Sequence, residues 1–357
     1  MFQRLFGFRP LNKDKYRKSI YQSPVEPGEG HEKKKKLDDV RVESADRFTF
    51  RPELAGKKTI GLKTVVDTRR ALEDGVKPLI EAFGKHSALS SFFVAAGRDG
   101  RGESLLSLLD PSFYSENSKT GRVAREGFAT SFSGLLSAPR PVLQGLEDTA
   151  REIVKTGHDA GVYGFSPAKW KSAVKSRSES AIAMNYERGV SEFEDVFRKK
   201  ATAFAAPFFL CSNATILLQE KFCFDYASDC RGTDPFLPVI EPRVMKTPQV
   251  PVTLPTVQEW LAAGNGNAKS FYEFILKEAG VQKYPVLEVS PLWEGAAFAK
   301  EFVDFLEKAS KEGFAFASLR EMLGLRLAEP APLPRCTLSY ALMEGRRHEV
   351  TIQMLEV

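Results

Sequence analysis

Histidine is scarce in this chain of 357 residues: there are four, His31, His86, His158 and His348. A site that needs several imidazoles has few positions to draw on. Cysteine is equally scarce, and Cys211, Cys223, Cys230 and Cys336 show no CxxC spacing. A chain of this length buries enough apolar surface to do without disulfide staples, so a reducing compartment is expected. No stretch approaches the ~18 apolar residues of a membrane span. The start MFQRLFGFRP, with Arg4 and Arg9, has no apolar run long enough for a signal peptide. These absences lead to an expected cytoplasmic location, with peripheral contact at the inner face of a membrane as the alternative. A GxGxxG fingerprint is missing, and GRDGRG (97–102) lacks the GK[ST] ending of a nucleotide P-loop.

What is present is ordinary for a soluble globular protein: 43% hydrophobic and 27% charged residues, with 27 phenylalanines that promise an aromatic core. The net charge of +5 permits anionic lipid, phosphate or acidic partners without selecting one. HEKKKKLDD (31–39) answers four lysines with two aspartates, the pattern of a solvated face, so no nucleic-acid partner is expected. Residues 1–57 form an N-terminal arm and basic linker, in which Phe2, Leu5 and Phe6 lie at helical spacing. They would either pack on the body or lie on a lipid surface.

From residue 58 the pattern alternates. KTIGLKTVVDT, ALSSFFVAAG, DAGVYGF, AFAAPFF and YPVLEVSPL predict strands. ALEDGVKPLIEAFGKH, VLQGLEDTAREIVKTG, SAIAMNYERGVSEFEDVFRKKA, AKSFYEFILKEAG and AAFAKEFVDFLEKASKEG predict helices between them. Alternation of this kind indicates a parallel α/β architecture, and the number of units favours a barrel. Residues 58–325 are assigned to it. The remainder, 326–357, changes period: Leu338, Tyr340 and Leu342, then Val350, Ile352 and Met354, alternate about a turn at EGRR. This predicts a C-terminal β-hairpin that either covers a barrel edge or serves as a docking surface, the first being the default.

Six segments in order, GLKTVVDTRRALEDGV, KHSALSSFFVAAGRDGRG, GHDAGVYGF, YASDCRGTDPFLPV, TPQVPVTLPT and LEVSPLWEG, resemble the polysaccharide deacetylase (NodB-homology) family. They are most like its branch that deformylates an aminoarabinose on an undecaprenyl phosphate lipid. The resemblance implies a distorted TIM-like (β/α) barrel with its site at the C-terminal strand ends. It also implies metal-assisted amide hydrolysis: zinc held by one Asp and two His, a second Asp as base, an Arg to orient it, and a His as acid. Position by position the chain departs from that pattern. Val65 stands where the base belongs, although Asp67 keeps the ligand position. Tyr163 and Pro167 stand for the two His, Leu210 for the Arg, and Ser290 for the acid. A phenol loses its proton only near ~10, and proline has no ligating atom. No zinc and no other cofactor is therefore expected, and no relocated metal site, since His31 and His348 belong to the two appendages.

The expected function is that of a pseudoenzyme that binds or scaffolds a glycolipid or partners an active paralogue. The alternatives are a divergent deacetylase or deformylase acting on an N-acyl amide of a lipid-linked sugar, and an interaction module built from arm and hairpin. A relic pocket is expected from Asp67, Tyr163, Phe208, Asp229, Arg231 and Trp293, with Asp67, Asp229 and Arg231 read first as a buried carboxylate–guanidinium network. Arg98 and Arg101 are candidate phosphate contacts, and the apolar segment 105–141 is either a lid or a dip toward lipid.

Overall fold

The computed structural model describes residues 47–100 and 110–356. The segments around Phe2–Phe6, His31 and the lysine run, together with Arg101 and residues 105–109, lie outside them. Its centre is β1 (Thr59–Val66), an eight-residue strand buried along its whole length. Parallel neighbours extend from it in the order β5 (Tyr226–Ala227), β4 (Ala203–Phe204), β3 (Asp159–Val162), β2 (Ser91–Val94), β1 and β8 (Val286–Val289). A further strand, β9 (Ala315–Ser318), pairs the first half of β1, with Thr59 opposite Ala315. Both faces of such a sheet are covered, which is why the strands read as continuous apolar runs without polar alternation.

The sheet curls into a barrel, and the gap between β5 and β8 is bridged by residues 248–254. Val250 N donates to Ala227 O, Val252 N to Cys230 O, and Leu254 N to Val286 O. Pro248 and Pro251 interrupt this run, so it cannot form a regular ladder; a proline has no N–H to give. That is the structural meaning of the proline-punctuated TPQVPVTLP stretch.

The outer layer consists of α1 (Val76–Lys85), α2 (Pro111–Thr120), α3 (Arg122–Glu126), α4 (Phe128–Ser131), α5 (Glu147–Lys155), α6 (Pro167–Lys175), α7 (Glu179–Phe197), α8 (Asn213–Lys221), α9 (Val257–Ala263), α10 (Ala268–Ala279), α11 (Ala299–Lys311) and α12 (Leu319–Leu327). The apolar faces expected for the helices around Leu79, Ile80 and Phe83 and around Phe302, Phe305 and Leu306 are buried in one core. The helix expected from Val142 begins only at Glu147, because Gly145 adopts a φ of 77° and its N–H goes to the Glu147 side chain. The strand expected over 203–209 stops at Phe204. Pro207–Phe209 instead form a tight 3-10 turn in which Phe208 and Phe209 both have positive φ, 61° and 56°. Such backbone in two bulky residues is strained, and strain of this kind collects at sites.

A second sheet of four strands has the order β11 (Val350–Glu356), β10 (Arg335–Ala341), β6 (Leu237–Ile240) and β7 (Arg243–Val244). The hairpin β10–β11 is antiparallel, as its alternation predicts. It is built into the body: β10 runs parallel to β6, and Arg231 exchanges backbone hydrogen bonds with Thr351 and Gln353. At the other end of the barrel Leu54 packs with Tyr284, Ala317 and Met322, and Arg51 pairs with Glu321 at 2.7 Å. Among the described residues no helix is long and apolar enough to cross a membrane.

Candidate functional site

The C-terminal ends of β1, β4 and β8 converge on a two-chambered cleft. The inner chamber, about 120 Å³, is lined by Val65 and Asp67 after β1, Phe208 and Phe209 after β4, Glu288, Val289 and Ser290 of β8 and its end, and Glu294. Thr256, Gln258 and Arg346 complete it. It is several times the space that one water needs. Phe208, Thr256, Gln258 and Arg346 also line the outer chamber, of about 180 Å³, so the two are continuous. The outer walls come from the described part, 110–141, of the insertion between β2 and α5 (Glu116, Thr120, Arg122, Glu126), from α6 (Lys171, Lys175) and from the hairpin turn (Gly345–Val350).

The floor is Phe209, whose ring carries three cations: Lys63 Nζ at 4.5 Å, the Arg346 guanidinium at 4.8 Å and that of Arg231 at 5.1 Å. Lys63 is fully buried inside the barrel, where it donates to Ser228 O at 3.1 Å and pairs with Glu288 at 3.0 Å. Glu259 is the hub of the rim. It caps α9, accepting from Thr256 N at 2.8 Å, and pairs with Arg231 at 3.5 Å and with Arg346. Burial alone would push its carboxyl up, but the two guanidiniums outweigh that and hold it below the usual carboxylate range.

Glu294 has the opposite environment. It sits in a π turn, Trp293–Ala297, packed against a second π turn, Ala71–Gly75, that follows β1. The two turns touch through glycine: a Cβ on Gly295 would lie 2.4 Å from Gly75 O, and one on Gly75 2.2 Å from Pro291 O. Burial pushes the Glu294 carboxyl up to about 8, with only the Ser290 N–H, at 2.8 Å, and its own backbone opposing the rise. It is therefore protonated at neutral pH.

Of the positions singled out in the sequence, Val65, Asp67, Phe208 and Ser290 line the inner chamber, and Leu210 and Trp293 the outer one. Trp293 is fully buried, with Nε1 donating to Glu126 Oε1 at 2.9 Å. Tyr163 follows β3; its hydroxyl accepts from Phe208 N at 2.9 Å, and burial, with Glu288 and Asp67 nearby, pushes its pKa well up. Pro167 starts α6. Asp229 does not line either chamber. It is sealed beneath, accepting from Ala206 N at 2.7 Å and from Gln219 and Gln249, and burial raises it to about 6. The three members of the expected Asp67, Asp229 and Arg231 network have separate surroundings: Asp67 lines the inner chamber, Asp229 is held by Ala206, Gln219 and Gln249, and Arg231 pairs with Glu259. Arg98 lines neither chamber and donates to Pro139 O at 2.8 Å, while its neighbour Asp99 turns inward to Ser133 and Arg140. His348, placed on an appendage by the sequence, lines the outer chamber because the hairpin folds over the mouth. His158 lies at the start of β3, away from the cleft, its Nδ1 accepting from Ser90 N, and burial lowers it to about 4.

Near Asp67 stand the buried Tyr163 phenol, whose hydroxyl accepts from Phe208 N, and the Arg346 side chain on the same chamber, while Glu288 is paired with Lys63. Among the described residues no group of three or more His, Cys, Asp or Glu is arranged to hold a metal ion. Lys63, Glu259, Glu288, Glu294 and Arg346 were not singled out in the sequence. A lysine inside the KTVV strand was the one local signal, since a buried charge requires a partner.

The barrel, its closing segment and the cleft at the strand ends define the fold of the polysaccharide deacetylases. A polysaccharide deacetylase structure from Mycobacterium smegmatis superposes with a TM-score of 0.54 at 15% identity, over 78% of this chain and 94% of that one. One from Pseudomonas aeruginosa PAO1 gives 0.52 at 11%, over 77% and 93%. In sequence the chain is similar to a probable 4-deoxy-4-formamido-L-arabinose-phosphoundecaprenol deformylase, ArnD, of Shewanella sediminis, 26% identical over 265 residues, 74% of this chain and 85% of the relative. The protein of the same name from Wigglesworthia glossinidia brevipalpis is 26% identical over 274 residues, 76% and 94% of the two chains. No family model matches the chain. The resemblance read from the six segments thus holds in both fold and relatives.

Proposed function

We propose that this barrel binds a sugar, in particular the head group of a lipid-linked sugar, without metal-dependent hydrolysis. The observation that carries the reading is the make-up of the inner chamber. An open space remains at the strand ends, lined by Val65, Ser290, Arg346 and the surviving Asp67, while Tyr163, Pro167 and Leu210 stand at the other positions that a zinc deacetylase fills with its ligands and arginine. The named activity of the two relatives, on an undecaprenol-linked sugar, supports the substrate class. The insertion that walls the outer chamber also exposes Tyr114, Phe128 and Leu136, each more than half accessible, which supports contact with a membrane surface beside the cleft. An active paralogue as partner remains part of the proposal. A hairpin acting only as an interaction module is less supported, since its strands are built into the barrel's own second sheet.

One observation favours a second reading, amide hydrolysis. Glu294, protonated, and Asp67 line the same chamber and offer an acid and a base without metal. The test is metal analysis of the purified protein alongside binding and turnover of a formamido-arabinose undecaprenyl phosphate in vesicles. Saturable binding with no stoichiometric zinc and no formate release is expected. Zinc with turnover would overturn the proposal; turnover without zinc would select the second reading.

A further inference from the structure

We propose that Arg346, carried into the barrel mouth by the C-terminal hairpin, anchors the ligand by taking a carbonyl or carboxylate oxygen of a sugar beside Asp67. The inference rests on the binding reading above and names the residue that performs it. The hairpin turn is shaped for this reach. Gly345 has a φ of 77°, and a Cβ there would lie 2.1 Å from Glu259 O, so only glycine lets the turn press directly onto α9. The next side chain then enters the cleft and lines both chambers.

The guanidinium is oriented but not used up. Its Nε donates to Glu259, its central carbon lies 4.8 Å from the Phe209 ring centroid, and Nη1 and Nη2 have no hydrogen-bond partner among the described residues. The side chain is 21% exposed and lines both chambers, so these donors are available to an acceptor in the cleft. Glu259 also pairs with Arg231, so one carboxylate is shared between two guanidiniums. A planar oxygen acceptor matches a guanidinium fork. Asp67 on the same chamber accepts O–H or N–H and opposes a bare multivalent anion. The matching ligand therefore carries an acceptor oxygen flanked by donors, as in an N-acylated or uronic sugar, and is not free phosphate.

The probes are N-acetylglucosamine, glucuronate and inorganic phosphate, titrated against the intact protein and against R346M and R346K. Methionine keeps an apolar stem on Phe209 and loses the charge. At least one of the two sugars should bind the unaltered protein and phosphate should not; R346M should bind roughly tenfold more weakly or worse, as for loss of a charge-assisted hydrogen bond, with R346K between. In the unaltered protein the bound sugar should protect Arg346 from phenylglyoxal, a readout that stands even if a variant fails to fold. Equal affinity in R346M, unprotected Arg346, or binding of phosphate alone would overturn the role of Arg346 and leave the binding reading standing. Binding of neither sugar to the unaltered protein would likewise overturn the role of Arg346, whereas the binding reading falls only if the lipid-linked sugar also fails to bind.

Discussion

Replacing Glu294 by glutamine tests whether the inner chamber holds a neutral carboxylic acid. The amide keeps an oxygen to accept the Ser290 N–H, and it cannot ionise. In the folded protein the carboxyl titrates at about 8, against an ordinary 4.5 for the unfolded chain. Between these two values the folded state holds a proton that the unfolded state has lost, so stability falls as pH rises from 4.5 to about 8 and is flat beyond. At ~1.36 kcal/mol per pH unit the whole gap is worth roughly 5 kcal/mol, an upper bound because water entering the chamber would screen the charge. The assay is urea unfolding of both proteins at several values from about pH 5 to roughly 9. The difference curve should show the variant gaining on the original protein as pH rises, and levelling near 8. Parallel stability curves would refute the reasoning, because they would mean that Glu294 ionises freely and is solvated.

The remaining expectations concern other parts of the fold. Lys63→Met strands Glu288 without its buried partner and should destabilise the protein by about 3–5 kcal/mol, whereas adding Glu288→Gln should recover most of it; chemical denaturation of the single and double variants checks this. His158 gives an acid limb of opposite sign: its folded value of about 4 lies below the ordinary 6.5, so stability is lost as pH falls through that window. The loss should approach roughly 3 kcal/mol and be absent in His158→Gln, measured by the same unfolding series. Gly295→Ala forces the two π turns apart, since its Cβ would sit 2.4 Å from Gly75 O. It should lower the melting temperature by several degrees, for a cost of ~1–3 kcal/mol, and move the Glu294 titration seen by NMR.

Much of the barrel is legible in the chain because helix and strand periods are local. Leu79, Ile80 and Phe83 mark a buried face within one turn, and the alternation from Leu338 to Met354 marks the hairpin. The short reach of β4 was not legible: AFAAPFF looks like a strand, and only the packing of Phe208 and Phe209 with positive φ ends it at Phe204. Gly145 likewise delays α5 through a turn that periodicity does not register.

By itself the sequence determined which side chains stand at the expected motif positions. Those motifs are short, and residues a few places apart at a strand end must share one neighbourhood. Val65 and Asp67 are therefore found together, as their spacing requires. Only the tertiary structure decided what surrounds Asp67. Lys63 meets Glu288, Glu259 meets both Arg231 and Arg346, and the hairpin brings His348 to the cleft, through contacts that join distant stretches of chain. Charge pairing and burial depend on distance in space, and no local pattern of residues encodes which far-off partner will close on which.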